Sequence, residues 1–339
     1  MEYTGESLDQ VLEQLYQALR AEGRWHDGGT RGRSLEIIGV SLNITHPRAR
    51  ISRSENRGKP FSALGELLWY LSGSDKLDFI QPYVGRYVDD AVDGVLEGAY
   101  GPRLLSMRGK IDQFSNIEKL LTQKPGSRRA VIQLFNAEDI DAAHKEVPCT
   151  TTLQFHLRDG LLHMSVCLRS NDAYWGLPHD VFCFTMLQEM MARRLQVELG
   201  TYHQYVGSMH IYEDYVDDMN EYLSEGHQQR IEMPAMPPGD PFEMLPKLLL
   251  IEERLRSGGN VDAREMEEPY WADIVRLFQV FWARELEQGD YILRVKQLRG
   301  EMASKSFDPY IDNRMHLKAR NRVPNGSVSS GKGIGHVAH

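Results

Sequence analysis

The chain has 339 residues, 41% of them hydrophobic, and a formal net charge of −9. That length suits one large domain or two smaller ones, the acidic balance argues against a long nucleic-acid partner, and no run of about 18 apolar residues is there to cross a membrane. Cys149, Cys167 and Cys183 lack the spacing of a disulfide framework or a metal site, and residues 1–10 lack the basic-then-apolar pattern of a signal peptide, so a reducing cytoplasm is expected.

A first helix is predicted over residues 8–21, where Leu8, Val11, Leu12, Leu15 and Leu19 recur on one face. Residues 23–33, rich in Gly and Arg, read as a loop, and 35–44 alternate as a strand. Residues 61–71 are apolar and long enough for a buried helix, with Glu66 as its single charge. A strand is predicted over 127–135, then a hairpin of 153–157 and 161–168 turning at Arg158-Asp159-Gly160. Pro178 suits the first turn of a helix that reaches residue 195. A strand over 202–206 and a helix over 210–223 follow. Pro234, Pro237, Pro238, Pro241 and Pro246 mark a composition shift and a boundary. Beyond it, 243–257 and 270–302 read as helices, and 325–339, rich in Gly and Ser, as a mobile tail. Strands clustered in the middle with helices around them make the class α+β.

Several side chains have the type and setting for chemistry. Cys149 stands before a strand in Val147-Pro148-Cys149-Thr150, where nearby cations would activate a thiol; a small buried hydrophobe is the plainer reading of a lone cysteine. Arg128 and Arg129, after Ser127, and Arg169 with Ser170 make two arginine sites at strand ends. Such forks match phosphate oxygens, and surface ion pairs are the alternative. Arg31 and Arg33 belong either to the same anion site or to a solvated loop. Glu66 is costly to bury unless paired or protonated, which is the condition of a general acid or base, unless it reaches solvent at the helix edge. Asp180 lies in a first helical turn, where the helix dipole favours an acid in any case. His210 and Tyr212, two apart, share a face in extended geometry.

Taken in order, Glu66-Leu67-Leu68-Trp69, Tyr100-Gly101, Ser127-Arg128-Arg129, Pro148-Cys149, Gln154-Phe155, Arg169-Ser170, Asp172, Gly176-Leu177-Pro178 and His210-Ile211-Tyr212 resemble the thymidylate synthase family over about residues 8–225. The resemblance implies a thymidylate synthase-like fold: a mixed β-sheet flanked by helices, with a sheet face forming a homodimer interface. The catalytic domain would occupy 1–250, a C-terminal helical extension 251–324 and the tail 325–339. Cys149 would add to carbon 6 of a pyrimidine nucleoside monophosphate, so that carbon 5 attacks the methylene group of 5,10-methylenetetrahydrofolate. Arg169 and Ser170 would bind the phosphate, joined by Arg128 and Arg129 of the partner subunit. Arg31 or Arg33 would replace the family's loop arginine, whose place Gly29 takes. Arginines near the thiol would lower its pKa. His210 and Tyr212 would hold the sugar, Glu66 would order water and relay protons, and Tyr100 would assist proton removal at carbon 5. Asp172, Trp175, Gly176 and Trp69 would bind the folate. No metal, membrane or nucleic-acid polymer enters this scheme.

The departures point within the family. Its synthases carry Asn where Asp180 stands; an ionised carboxylate only accepts, and suits the exocyclic amine of cytosine. This resembles the deoxycytidylate and cytidylate 5-hydroxymethylase branch. Thr150 replaces a His, Trp175 a Leu and Tyr87 a tryptophan near the folate, and the synthases' closing C-terminal segment is not recognisable. Water rather than hydride would then meet the methylene intermediate. The expected reaction is therefore 5-hydroxymethylation of dCMP or CMP, with Arg129 and Ser170 favouring dCMP. The alternatives are a methyl product, as from thymidylate synthase or a dCMP methylase, and a non-catalytic nucleotide-binding module, which would have no need of the thiol.

Overall fold

A computed structural model describes residues 1–29, 31–54, 59–286 and 290–317. Contacts divide the chain into two units, one of residues 1–246 with 304–310, the other of 247–303 with 311 onward. The predicted tail, 325–339, lies outside the described residues.

In the first unit, Ser7 opens the first helix, α1 (Leu8–Glu22), by accepting a bond from Gln10 N. Its stripe of Leu8, Val11, Leu12, Leu15 and Leu19 is buried. Seven strands make one mixed sheet among the described residues. They are β1 (Glu2–Gly5), β2 (Arg24–Gly29), β3 (Gly32–Ile44), β4 (Val131–Gln133), β5 (Thr150–Arg158), β6 (Leu161–Asp172) and β7 (Glu198–Tyr212). Their order is β1-β3-β7-β6-β5-β4, with β2 also on β3. The pairs β1–β3 and β6–β7 are parallel, the others antiparallel.

Three predicted elements differ. The expected loop at 23–33 is the hairpin of β2 and β3, which pairs Arg24 with Glu36 and Gly29 with Gly32. The expected helix at 210 starts only at Val216, because β7 stays paired with β3 as far as Tyr212 opposite Ser34. The strand expected over 127–135 shortens to β4. In the first two cases long-range pairing overrides the local pattern, and β4 keeps only the residues that pair with β5.

The alternation of buried residues changes phase at one level across three neighbouring strands. Leu35 and Ile37 give way to Val40 and Leu42 in β3, Leu168 to Asn171 in β6, and Val206 to Met209 in β7. Gly39, with φ of 74°, and Gly207 lie at the shift. A Cβ on Gly207 would come within 2.8 Å of Arg169 O, so only glycine lets the strands meet there. The pairing runs through without an inserted residue, Ile38 opposite Ser208 and Val40 opposite Val206, so these are kinks rather than bulges, and they re-aim the side chains. Beyond them, Ser170 stands opposite Ser208 and Asp172 opposite His210.

Helix α2 (Pro60–Ser72) has Pro60 in its first turn and stops at Gly73, in the left-handed conformation with φ of 69°. After it come α3 (Leu77–Ile80), α4 (Tyr100–Leu105), α5 (Gln113–Gln123), α6 (Gly176–Leu195) and α7 (Val216–Glu225). Helix α6 packs on β6 and β7 and against α2, and is buried from Val181 to Ala192. Its N-terminal turn therefore sits beside the re-aimed ends of the strands. The Pro-rich stretch belongs to this unit: Met233 and Met236 are buried, and Met236 N donates to Glu189 Oε1 at 2.9 Å.

The remaining helices are α8 (Leu245–Arg256), α9 (Pro269–Glu285), α10 (Tyr291–Glu301) and α11 (Asp308–Met315). The single helix expected over 270–302 is thus divided, with Asp290 capping α10 by accepting from Leu293 N at 3.1 Å. Ile274, Leu277, Phe278, Val280 and Phe281 of α9 are buried. No described helix is long and apolar enough to cross a membrane. Among the described residues no cluster of His, Cys, Asp and Glu is arranged to hold a metal.

Candidate active site

Cys149 lies one residue before β5 and is half-buried. Arg169, on β6, donates from Nε to Pro148 O at 2.9 Å and from Nη2 to Val147 O at 3.1 Å, and Nη2 stands 3.7 Å from Cys149 Sγ. The segment before the thiol is therefore wrapped around a guanidinium. The arginines were expected to lower the thiol pKa; instead it is pushed up to about 11. Burial outweighs the pull of Arg169 and Arg31, and Asp180 and Glu146 push the same way as burial. The resting thiol is protonated at neutral pH, so attack requires a base or a changed surrounding to remove its proton.

Beside it, the Tyr100 hydroxyl accepts from Thr150 N at 3.1 Å and donates to Thr150 Oγ1 at 3.0 Å. Burial, with Asp180 and Cys149 nearby, holds this phenol well above its usual pKa, so it keeps its proton. Glu66, in α2, is only 6% exposed, which removes the solvent-edge alternative. Its Oε1 accepts from Tyr87 at 2.6 Å and from Tyr70 at 3.0 Å. Two phenols thus supply the bonds that a buried carboxylate demands.

Asp180 sits in the first turns of α6, where Asn171 Nδ2 donates to its Oδ2 at 2.5 Å. Burial, then the charge of Glu66, raises its carboxyl well above the usual range, against the lowering effect of Asn171. The sequence reading took Asp180 as an ionised carboxylate able to share a proton with the ring nitrogen. In the fold its carboxyl is biased toward the protonated form, which has one donor as well as acceptors. Gly176 keeps the space next to it open: a Cβ there would stand 3.2 Å from Asn171 Nδ2 and 3.8 Å from Asp180 Oδ2.

Asp172 Oδ1 accepts from the backbone nitrogens of Tyr174 and Trp175 at 2.9 and 3.3 Å, and so builds the turn into α6. Its Oδ2 faces Arg86 at 3.7 Å. Trp175 is half-buried, with Lys59 Nζ 4.1 Å from its ring centroid. Trp69, by contrast, is 2% exposed and lies 5.2 Å from the Tyr87 ring. Trp69, expected at the folate, packs beneath Tyr87 in this fold. His210 and Tyr212 do share a face, with ring centroids 5.0 Å apart. Ser170 Oγ stands 3.5 Å from His210 Nδ1, and burial lowers the imidazole pKa.

The arginines separate. Arg31 acts on the thiol and binds Asp90 Oδ2 at 2.5 Å. Arg33 turns away to Glu213 at 3.0 Å and Asp27 at 3.1 Å, with its guanidinium 4.3 Å over Trp25. Arg128 and Arg129 are exposed at the entry to β4. Their recorded bonds are backbone ones, Gln154 Nε2 to Arg128 O at 2.9 Å and Arg129 N to Ser127 Oγ at 3.1 Å. No contact among the described residues joins them to Cys149.

Sequence reasoning missed Glu146, Asp90 and Asn171. Glu146 Oε2 accepts from Gly98 N at 2.8 Å, and a Cβ on Gly98 would lie 2.6 Å from both carboxylate oxygens. Burial raises the Glu146 pKa. None of the three falls in a periodic pattern; the available signal was that Glu146 and Asn171 directly flank motif residues.

The thymidylate synthase family model matches residues 14–239. A deoxyuridylate hydroxymethyltransferase of Bacillus phage SP01 is 31% identical over 233 residues, 63% of this chain and 60% of that protein. A thymidylate synthase of Bacillus subtilis subsp. natto is 31% identical over 206 residues, covering 58% of this chain and 72% of the relative. That of Bacillus phage phi3T is 30% identical over 206 residues, with the same coverage. The chain thus spans less than two thirds of the phage SP01 protein's length.

Proposed function

The chain belongs to the thymidylate synthase family, and from that premise we propose that it converts dCMP or CMP to the 5-hydroxymethyl derivative, with 5,10-methylenetetrahydrofolate and water as co-reactants. The observation that carries this reading is Asp180, held at Oδ2 by Asn171 and biased by burial toward its protonated form. An acid O–H donates to the lone pair on cytosine N3, while the carboxyl oxygens accept from the exocyclic amine. Polar mismatch in such a site discriminates strongly between bases. The similarity to a hydroxymethyltransferase supports the hydroxymethyl outcome.

In this reading Cys149 forms the bond to carbon 6, and Arg169, already 3.7 Å from the sulfur, turns its remaining capacity to the phosphate with Ser170 and Arg31. Tyr100, protonated and anchored on Thr150, stands by for proton movement at carbon 5. Glu66 with Tyr87 and Tyr70 offers a polar site for ordered water. His210 and Tyr212 hold the sugar. Arg128 and Arg129, free of side-chain bonds among the described residues, reach the phosphate of a partner subunit's site, which makes the enzyme a homodimer. The catalytic domain is taken as 1–250, with 251–324 as a helical extension.

The residues around Trp175 fit a folate: a half-buried indole to stack on, the Asp172 carboxylate for ring N–H groups, and Lys59 and Arg86 for carboxylates. When bound, the folate supplies the one-carbon unit at the oxidation level of formaldehyde.

Similarity to thymidylate synthases favours a second reading, methylation of dUMP. Product analysis separates the two. Incubation with methylenetetrahydrofolate and, separately, dCMP, CMP and dUMP should give a hydroxymethylated cytosine nucleotide with tetrahydrofolate released. A methylated product with dihydrofolate would establish the second reading instead.

A further inference from the structure

We propose that Tyr202, Gln204 and Asn171 form a buried relay of hydrogen bonds that fixes which oxygen of Asp180 faces the base as a donor, and so sets the choice between cytosine and uracil. The inference rests on the reading of Asp180 as the group that meets the base. Tyr202 OH donates to Gln204 Oε1 at 2.6 Å, Gln204 Nε2 donates to Asn171 Oδ1 at 3.3 Å, and Asn171 Nδ2 donates to Asp180 Oδ2 at 2.5 Å. Tyr202, Gln204 and Asn171 are 0%, 1% and 4% exposed. The relay crosses from β7 to β6 to α6.

An amide has one accepting end and one donating end. Once Tyr202 donates to Gln204, the Gln204 nitrogen must face Asn171, and the Asn171 nitrogen must face Asp180. The bonds share one direction. Burial keeps the Tyr202 phenol protonated, so it remains able to start the relay. Water cannot substitute for a link in so closed a place without rearrangement.

The direction has a chemical consequence. With Asn171 N–H on Oδ2, a proton taken up by the carboxyl goes to Oδ1. An Oδ1–H meets the lone pair of cytosine N3 and is opposed by the N3–H of uracil. The reversed relay would put the acid proton on Oδ2, bonded to Asn171 Oδ1, and leave Oδ1 as an acceptor for uracil N3–H. Reversal would also take from Tyr202 the acceptor for its proton. Tyr202, Gln204 and Asn171 are thus positioning residues for base selection.

The test compares kcat/KM for dCMP and dUMP, with pH profiles, in the full chain and in Tyr202→Phe, Gln204→Leu and Asn171→Ala. A parent enzyme that prefers dUMP would sink the cytosine reading itself, before any variant is made. Given a parent that prefers dCMP, each variant should lower the dCMP-to-dUMP ratio by about tenfold, the scale of one unmatched buried polar group, and move the pH profile on dCMP. An unchanged ratio and profile, whether activity is kept or falls equally on both nucleotides, overturns the proposal. Tyr202→Phe removes one hydroxyl without changing shape, so it decides the matter if the other variants do not fold.

Discussion

Arg169 Nη2 stands 3.7 Å from Cys149 Sγ while the same guanidinium holds the carbonyls of Val147 and Pro148. The cation is thereby shared between backbone and sulfur, and burial prevails over its pull on the thiol. The resting thiol is thus shielded from ionisation, and the groups around it set how far.

The first prediction concerns that thiol. Alkylation of Cys149 should rise with pH toward a midpoint at about 11. Glu146→Gln removes an acid that raises the thiol pKa, so its midpoint should move down. Arg169→Met removes a cation that lowers it, so its midpoint should move up. Iodoacetamide rates followed site by site by mass spectrometry measure both. A Glu146→Gln midpoint at or above that of the parent would contradict the electrostatic account.

Asp180 gives a stability prediction with a definite sign. Its carboxyl pKa is raised in the fold, so the folded state binds the proton more tightly than the unfolded chain. That contribution is full below the usual carboxylate range and is lost as pH rises toward the raised value. Asp180→Asn should therefore stabilise the ligand-free protein at pH 8 by about 0.5–2 kcal/mol, and the gain should vanish near pH 4. Thermal unfolding at the two pH values checks this. The same variant should shift base preference toward dUMP.

Arg31 and Arg33 should behave differently although they are two residues apart. Arg31→Ala should raise KM for the nucleotide about tenfold or more, the scale of a lost charged hydrogen bond. Arg33→Ala, whose partners are Glu213 and Asp27 at the surface, should leave KM within about twofold. Equal effects would mean that the β2–β3 hairpin reaches the nucleotide in another way.

Tyr87→Phe removes one of the two phenols on Glu66. Glu66 then keeps only the bond from Tyr70, and losing one hydrogen bond to a buried carboxylate costs about 1–3 kcal/mol, so both stability and turnover should fall, with nucleotide Kd nearly unchanged. A large rise in Kd would instead assign Tyr87 to nucleotide binding.

The shared-site proposal for Arg129 is tested by mixing. Cys149→Ser and Arg129→Ala, each inactive alone, should recover part of the activity after joint refolding. A mixed dimer has one site with both lesions and one with neither. No recovery, with mixed dimers present, would place Arg129 in the site of its own chain.

Much of this protein was legible without coordinates. The leucine stripe of α1, the apolar run of α2 around one acid and the long helix after Pro178 each announce themselves, because burial of one face repeats along a single element. The ordered motif residues from Glu66 to Tyr212 pointed to the family for a different reason: they form a pattern too long to recur by chance. Charge state and pairing are of another kind, since they depend on groups far apart in the chain. The upward shift at Cys149 arises from burial, with Asp180 and Glu146 adding to it. The raised pKa of Asp180 follows from burial at the start of α6 and from the charge of Glu66. Arg31 differs from Arg33, and Trp69 from Trp175, only through what the hairpin and Tyr87 do to each. The relay from Tyr202 to Asp180 exists because kinked strands and a helix start meet at one place. The sequence by itself determined which elements form and which chemistry-bearing residues exist. The tertiary structure decided which of them meet, and through desolvation, which of them carry charge.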